Sequence, residues 1–418
     1  MQATIVKASR TRIKEDIETI ARFGGLSEGG VTRLALSKED MDGRKYLIEK
    51  MKEAGLNVTI DAVGNTIGRR EGKKKLAPIM IGSHLDTVPC GGNYDGIAGV
   101  IAALETIRML NDEGVETVRP IEVVNFTAEE SSRFLTATMG SKCMKGSLTI
   151  DKIKSLKDKN GNSFYDALSQ AGFEPDKLDS VKKYIGDYHA FIELHIEQGP
   201  VLEAEKKPIG IVTFIAAPTR MKINIKGKAD HSGNTPMNMR RDALAGASEI
   251  ILALEKIASE EAGRHTVGTV GDVRVTPGAM NVIPGEVELL VDIRDIDMNE
   301  KRKAYELFIE SINEVASKRN LIIERELLVN DTPVQMSAKI INTIQEATES
   351  LGYPYKIMHS GAGHDAMNLV PITDVGMIFI PSVDGISHNI KEFTEMEDIC
   401  NGADVLYASL YKLAMEDQ

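Results

Sequence analysis

Three short apolar runs constrain this chain more than any other feature, and each delivers a histidine or an acidic residue where it ends. Leu76 to Leu85 runs into His84 and Asp86, and Asp95 follows in the string GSHLDTVPCGGNYDG. The run IEVVNF is followed by Thr127, Ala128, Glu129 and Glu130, and FIELHIEQG carries His195. Between the runs lie segments of helical periodicity, Asp95 to Asn111 the most apolar of them. Strand–helix–strand order of this kind predicts an α/β core with a mainly parallel mixed sheet flanked by helices. A parallel sheet gathers its strand ends on one edge, so these polar residues are expected to meet there.

The pattern changes after Pro208. Met221 to Gly227 alternates, Met237 to Ile257 is helical, and His265 to Val275 and Glu286 to Asp292 alternate again. Asn299 to Arg319 is a second helix and Leu321 to Val329 a last strand. This β-α-β-β-α-β order predicts a small sandwich inserted into the first domain. The expected boundaries are 1–212 and 330–418 for the outer domain and 213–329 for the insert. With 418 residues the chain has room for two cores.

The net charge of −12 disfavours nucleic acid and anionic membranes as partners. No apolar run is long enough to span a bilayer, and the opening stretch MQATIVKASRTRIKEDIE lacks the apolar core of a signal peptide. Cys90, Cys143 and Cys400 are odd in number and far apart, as free thiols in a reducing cytoplasm would be.

The chemistry rests on five candidates for metal binding. In His84-Leu85-Asp86 the polar side chains share one side of a strand end, so the Asp86 carboxylate is expected to hold one imidazole nitrogen while the other faces a metal. Asp95, after two glycines, is placed to bridge two cations or to cap a helix. Glu129 and Glu130 point different ways, one toward a metal and one toward a water. His195 and His388 complete the set. Each has a bland alternative: a core histidine, an N-cap, a solvated pair. Their conjunction in one domain points to a metal-dependent hydrolase. Carboxylate-rich sites of this kind accept Zn, Mn or Co.

The strings GSHLDTVPCGGNYDGIAGV, FTAEESSRF, HIEQGPVLE, HSGNTPMNMRRDA, NVIPGEVELLVDIRD, SGAGHDA and GISHNIKEFT occur in this order. They resemble the N-carbamoyl-L-amino-acid hydrolases and allantoate amidohydrolases, a branch of the dinuclear-metal aminoacylase/carboxypeptidase superfamily. The resemblance implies a catalytic domain interrupted by a lid and dimerisation domain, two divalent metal ions per subunit, and a homodimer acting on a small ureido or carbamoyl substrate. It implies that His84 and His195 bind one metal, Glu130 and His388 the other, with Asp95 between them. Glu129 would be the base and later the acid, and Asp86 would orient His84. His231 would reach the partner's site and hold the oxyanion. Asn281 and Arg294 would bind the substrate carboxylate, with Gln198 and the backbone of Gly363 as further contacts. A salt bridge from Arg294 to Asp292 or Asp295 is the structural alternative. Cys90 stands where relatives often carry a polar residue, and is expected to be a small buried side chain. Allantoate hydrolysis is the nearest rival activity, then ureidoglycolate or β-ureidopropionate cleavage, aminoacylase or dipeptidase action, and a metal-free binding protein.

Overall fold

The computed structural model describes residues 7–417. The chain forms two compact units, Met1–Thr213 with Gln335–Gln418, and Phe214–Val334. The opening residues 1–6 of the sequence lie outside the described residues.

The larger unit is built on four parallel strands. Ile121–Phe126, Ile79–His84, Ala190–Ile196 and Asp374–Ile380 lie side by side in that order. All four are mostly apolar and buried on both faces, apart from the exposed Asp374 at the start of the last. That two-sided burial is why they read as runs rather than alternations. The hairpin of Asn57–Ile60 and Thr66–Arg70 extends the sheet antiparallel at one side. Ile209–Ile215 extends it antiparallel at the other. This last strand ends within two residues of where Ala217–Lys226 begins, so its apolar run blends into the next.

The helix Ile97–Asp112 is buried almost throughout and packs on the strands Ile79–His84 and Ala190–Ile196. Glycine makes the approach feasible: a Cβ on Gly99 would stand 2.1 Å from the carbonyl oxygen of Leu194. The helices Arg10–Ile20, Ala338–Ser350 and Met396–Ala414 join it in one apolar cluster with Ile79, Ile81, Ile192 and Leu194.

The smaller unit has a four-stranded antiparallel sheet in the order Ile322–Asn330, Ala217–Lys226, Glu286–Asp295, Val267–Thr276. Met221, Ile223, Ile225, Val287, Leu289, Val291 and Ile293 face the helices Ala243–Lys256 and Met298–Arg319. The strict alternation follows from one face being covered and the other solvated. Asp242 and Asp297 cap the two helices, each accepting two backbone N–H bonds.

Candidate metal centre

The parallel strands run the same way, so their carboxyl ends bring residues distant in sequence to one place. His84 ends its strand. Its Nδ1 lies 3.0 Å from the carbonyl oxygen of Asp86, which leaves Nε2 buried with no hydrogen-bond partner. The expected Asp86 carboxylate contact is therefore replaced by a backbone one. The nearer carboxylate oxygen lies 3.8 Å from Nδ1. Asp86 Oδ1 and Oδ2 accept instead the N–H groups of Glu129 (3.2 Å) and Glu130 (3.0 Å). Ala128, in the left-handed region at φ 53°, turns the chain so that these two amides converge. Successive amides arranged in this way make a seat for an anion.

Asp95 stands at the middle of the cluster. Its Oδ1 lies 3.1 Å from His195 Nε2 and 3.6 Å from His84 Nε2. Its Oδ2 lies 3.3 Å from His388 Nε2, and the same nitrogen lies 3.3 Å from Glu130 Oε1. Among the described residues three groups could hold a metal, His84–Asp95–His195 and Asp95–Glu130–His388, which share Asp95, and Glu193–His195–His364 behind them, each with its ligand atoms within 4.8 Å of one another. Each Asp95 oxygen serves one group. Glu129 Oε2 is 3.7 Å from His84 Nε2, beside the first group. Gln198, at φ 57°, donates from Nε2 to Asp95 Oδ2 at 2.7 Å.

The electrostatics follow from burial. Asp86, Asp95, Glu129 and Glu130 are all buried. Burial raises the Glu129 carboxyl well above its ordinary value, and the charges of Glu130, Asp365, Asp86 and Asp95 push the same way. Asp86 is pushed up to about 8 by burial and then by Asp40 and Glu130. Burial pulls His84 down to about 4. Burial also opposes charge on His195, but Asp95 outweighs it and carries the ring up to about 9. Hydrogen bonds to Asp95 and Glu130 carry His388 to about 11. A buried surplus of carboxylates, together with an unpartnered imidazole nitrogen aimed among them, fits a divalent cation.

Further residues underlie the cluster that the strand-end argument passes over. Glu193 accepts from Ser83 Oγ (2.7 Å) and from the Ala366 amide (3.0 Å). The His364 ring packs edge-on against His195 with centroids 4.5 Å apart, and Ser360 Oγ lies 2.9 Å from its Nε2. Glu193 stands two residues before His195 in a buried strand, which is the signal that could have found it. Gly363 is exposed, beside His364. Cys90 is exposed, contrary to expectation, on a loop residue in the left-handed region at φ 52°.

Three of the expected site residues lie in the smaller unit. His231 pairs with Val282, and the Ser232 amide donates to Asn281 O at 3.1 Å, so His231 and Asn281 flank one short ladder. His231 Nδ1 accepts the amides of Gly233 (3.0 Å) and Asn234 (3.1 Å), which puts the proton of the neutral ring on Nε2. Arg294 grips Asp292 through Nε and Nη2, both at 3.0 Å, and Arg220 Nε shares that carboxylate at 2.9 Å. The structural alternative for Arg294 is thus present in the fold.

Fold and site together define the class: a hydrolase with a mainly parallel α/β sheet whose strand ends and neighbouring loops gather His, Asp and Glu groups that could hold metal. The chain belongs to peptidase family M20/M25/M40, whose model matches residues 80–412. It is 41% identical over 410 residues to an N-carbamoyl-L-amino-acid amidohydrolase of a Pseudomonas species, covering 97% of this chain and 99% of the relative. It is 39% identical to a ureidoglycolate hydrolase of Oryza sativa (97% and 84%) and 36% identical to the allantoate amidohydrolase of Escherichia coli (97% and 98%). A crystal structure of a hydantoinase/carbamoylase family amidase from Burkholderia multivorans superposes with a TM-score of 0.91 at 39% identity, over 98% of this chain and 99% of that one. The chain is accordingly an enzyme that hydrolyses C–N bonds of the amide type.

Proposed function

We propose that the protein cleaves the ureido C–N bond of an N-carbamoyl-L-amino acid, giving the L-amino acid, ammonia and CO₂. The observation that carries this reading is the Asp95 carboxylate, split between two ligand groups with Glu129 beside one of them. The likeness to N-carbamoyl-L-amino-acid amidohydrolases supports the substrate class.

His84, Asp95 and His195 would hold one divalent ion, and Asp95, Glu130 and His388 a second, with zinc, manganese or cobalt suited to the donors. Such ions supply Lewis acidity at the ureido oxygen and acidify water. The chain's own groups do the rest. Glu129, whose proton affinity is raised by burial, would in its ionised form take a proton from the attacking water and return it to the leaving nitrogen. Gln198 and the amide of Gly363 orient the substrate. His231, with its proton on Nε2, donates to the developing oxyanion in the partner subunit of a homodimer. Asn281 and Arg294 receive the α-carboxylate, which competes with Asp292 for the guanidinium fork. The smaller unit serves as lid and dimerisation domain. We place the enzyme in the cytoplasm, consistent with three free cysteines and with the absence, among the described residues, of a helix long and apolar enough to cross a membrane.

Allantoate hydrolysis is the second reading, favoured by the likeness to the allantoate amidohydrolase. Ammonia release decides between them, measured after metal restoration on N-carbamoyl-L- and D-amino acids, N-carbamoyl-β-alanine, ureidoglycolate, allantoate and N-acetyl-L-amino acids. Ammonia from the L-carbamoyl series is the expected result. Ammonia from allantoate alone would transfer the assignment, and acetate without ammonia would make the protein an aminoacylase. A protein that neither binds nor responds to divalent ions would be a binding protein on this scaffold.

A further inference from the structure

Glu392 is almost fully buried and spends both carboxylate oxygens on the two loops that carry Asp95 and His388. Oε1 accepts the backbone N–H groups of Tyr94 and Asp95, each at 3.0 Å. Oε2 accepts the His388 N–H at 3.2 Å and lies 3.1 Å from the Ser387 hydroxyl, which is also 2.8 Å from Asp95 Oδ2. The Asp95 and Glu392 loops are 297 residues apart in sequence. Gly92 makes the approach feasible, since a Cβ there would stand 2.2 Å from Glu392 Oε1.

The three histidines of the centre are not held alike. His84 and His195 end buried parallel strands, and sheet hydrogen bonds place their backbones. His388 lies on a loop, in the left-handed region at φ 55°, with its side chain 49% exposed. The Glu392 carboxylate meets its amide, and charge-assisted bonds of this kind are stronger than neutral ones.

We propose that Glu392 is a positioning residue that sets the distance between Asp95 and His388. It thereby governs affinity for the ion held by Asp95, Glu130 and His388, and has little influence on the ion held by His84, Asp95 and His195. The inference rests on the two-ion reading above. It concerns the relative strength of the two positions, which that reading leaves open.

Glu392→Gln separates the contacts. The amide oxygen can still accept from Tyr94 and Asp95, but its NH₂ group faces the His388 N–H, donor against donor. Gly92→Ala attacks the same carboxylate from the other side. Metal-stripped wild type, Glu392→Gln, Gly92→Ala and the double variant would be titrated with Co²⁺ and Mn²⁺. The readouts are bound ion per subunit by equilibrium dialysis, the visible Co²⁺ spectrum, and the melting temperature of the metal-free form. Wild type is expected to bind two ions. Each single variant should bind one of the two ions within about threefold of wild type and the other about ten- to hundredfold more weakly, the usual scale for groups behind metal ligands. The double variant should lose no more than either single one, because both act on one carboxylate. Equal weakening of both ions, in step with a lowered metal-free melting temperature, would show a structural role only and overturn the inference. Two ions bound as tightly in Glu392→Gln as in wild type would overturn it alone, leaving the two-ion reading intact. One ion or none in wild type would sink that reading and this inference with it.

Discussion

Glu129 and Glu130 are neighbours in sequence with different surroundings, and the difference suits different work. Glu130 approaches His388 at 3.3 Å, and that partner offsets part of the burial that raises its carboxyl. Around Glu129 burial and four neighbouring carboxylates all favour the proton. Glu129→Gln is therefore expected to lower kcat by about 10²- to 10⁴-fold with metal content near wild type. Parallel loss of metal, measured by elemental analysis, would make Glu129 a ligand rather than a base. Arg294 carries a second prediction at this scale. Arg294→Ala should raise KM about ten- to hundredfold with a smaller effect on kcat, the worth of one or two hydrogen bonds to a charged group. An unchanged KM would leave Arg294 as the partner of Asp292 and nothing more. The types of these residues were legible in the sequence. Which atom each would meet was not, as Asp86 demonstrates: its carboxylate left His84 to a carbonyl and took two amides from another strand end.

At the scale of elements, the junction between the strand Ile79–His84 and the helix Ile97–Asp112 is tightly constrained. Gly96 precedes the helix at φ 72°, and a Cβ there would stand 2.4 Å from Cε1 of the buried His84 ring. Gly96→Ala should thus displace the His84 ring, proposed as a metal ligand, and strain the backbone together. The expected cost is about 1–3 kcal/mol in chemical denaturation, with reduced metal content. Full metal content in this variant would mean that the His84 ring has room to shift. The strand and helix assignments were readable here because burial on both faces leaves continuous apolar runs. Ile209–Ile215 escaped notice because its apolar run continues almost directly into the next strand, so no turn signal separates them.

The two units have separate cores, one around Ile81, Ile192 and Leu194 and one around Ile223, Leu289 and Phe308. Among the described residues, the groups that could hold a metal all lie in the larger unit. Removing metal withdraws the counter-charge from Asp95, Glu129 and Glu130, so chelation should destabilise that unit. Ligand linkage puts the loss at about 4 kcal/mol when free metal stands a thousandfold above its Kd. Calorimetry with and without chelator is expected to shift the transition of the larger unit and leave that of residues 214–334 in place. A single transition moving as a whole would mean that the two units unfold together.

Hydrophobic periodicity is a local property, and by itself the sequence determined that the runs around Ile79–His84, Ile121–Phe126 and Ala190–Ile196 become buried strands and which histidine and acidic residues stand at or just beyond their ends. The residues that hold those ligands were decided only in three dimensions. Asp86 finds its amides because Ala128 turns left-handed, and Glu392 finds its own because two loops nearly three hundred residues apart close on it. Arg294 meets Asp292 two residues away on the same solvated face of a strand, where alternation predicts proximity and does not say whether the pair or a ligand takes the guanidinium. Side-chain periodicity says which way a residue faces. Only loop conformation and the meeting of distant backbones say what it faces.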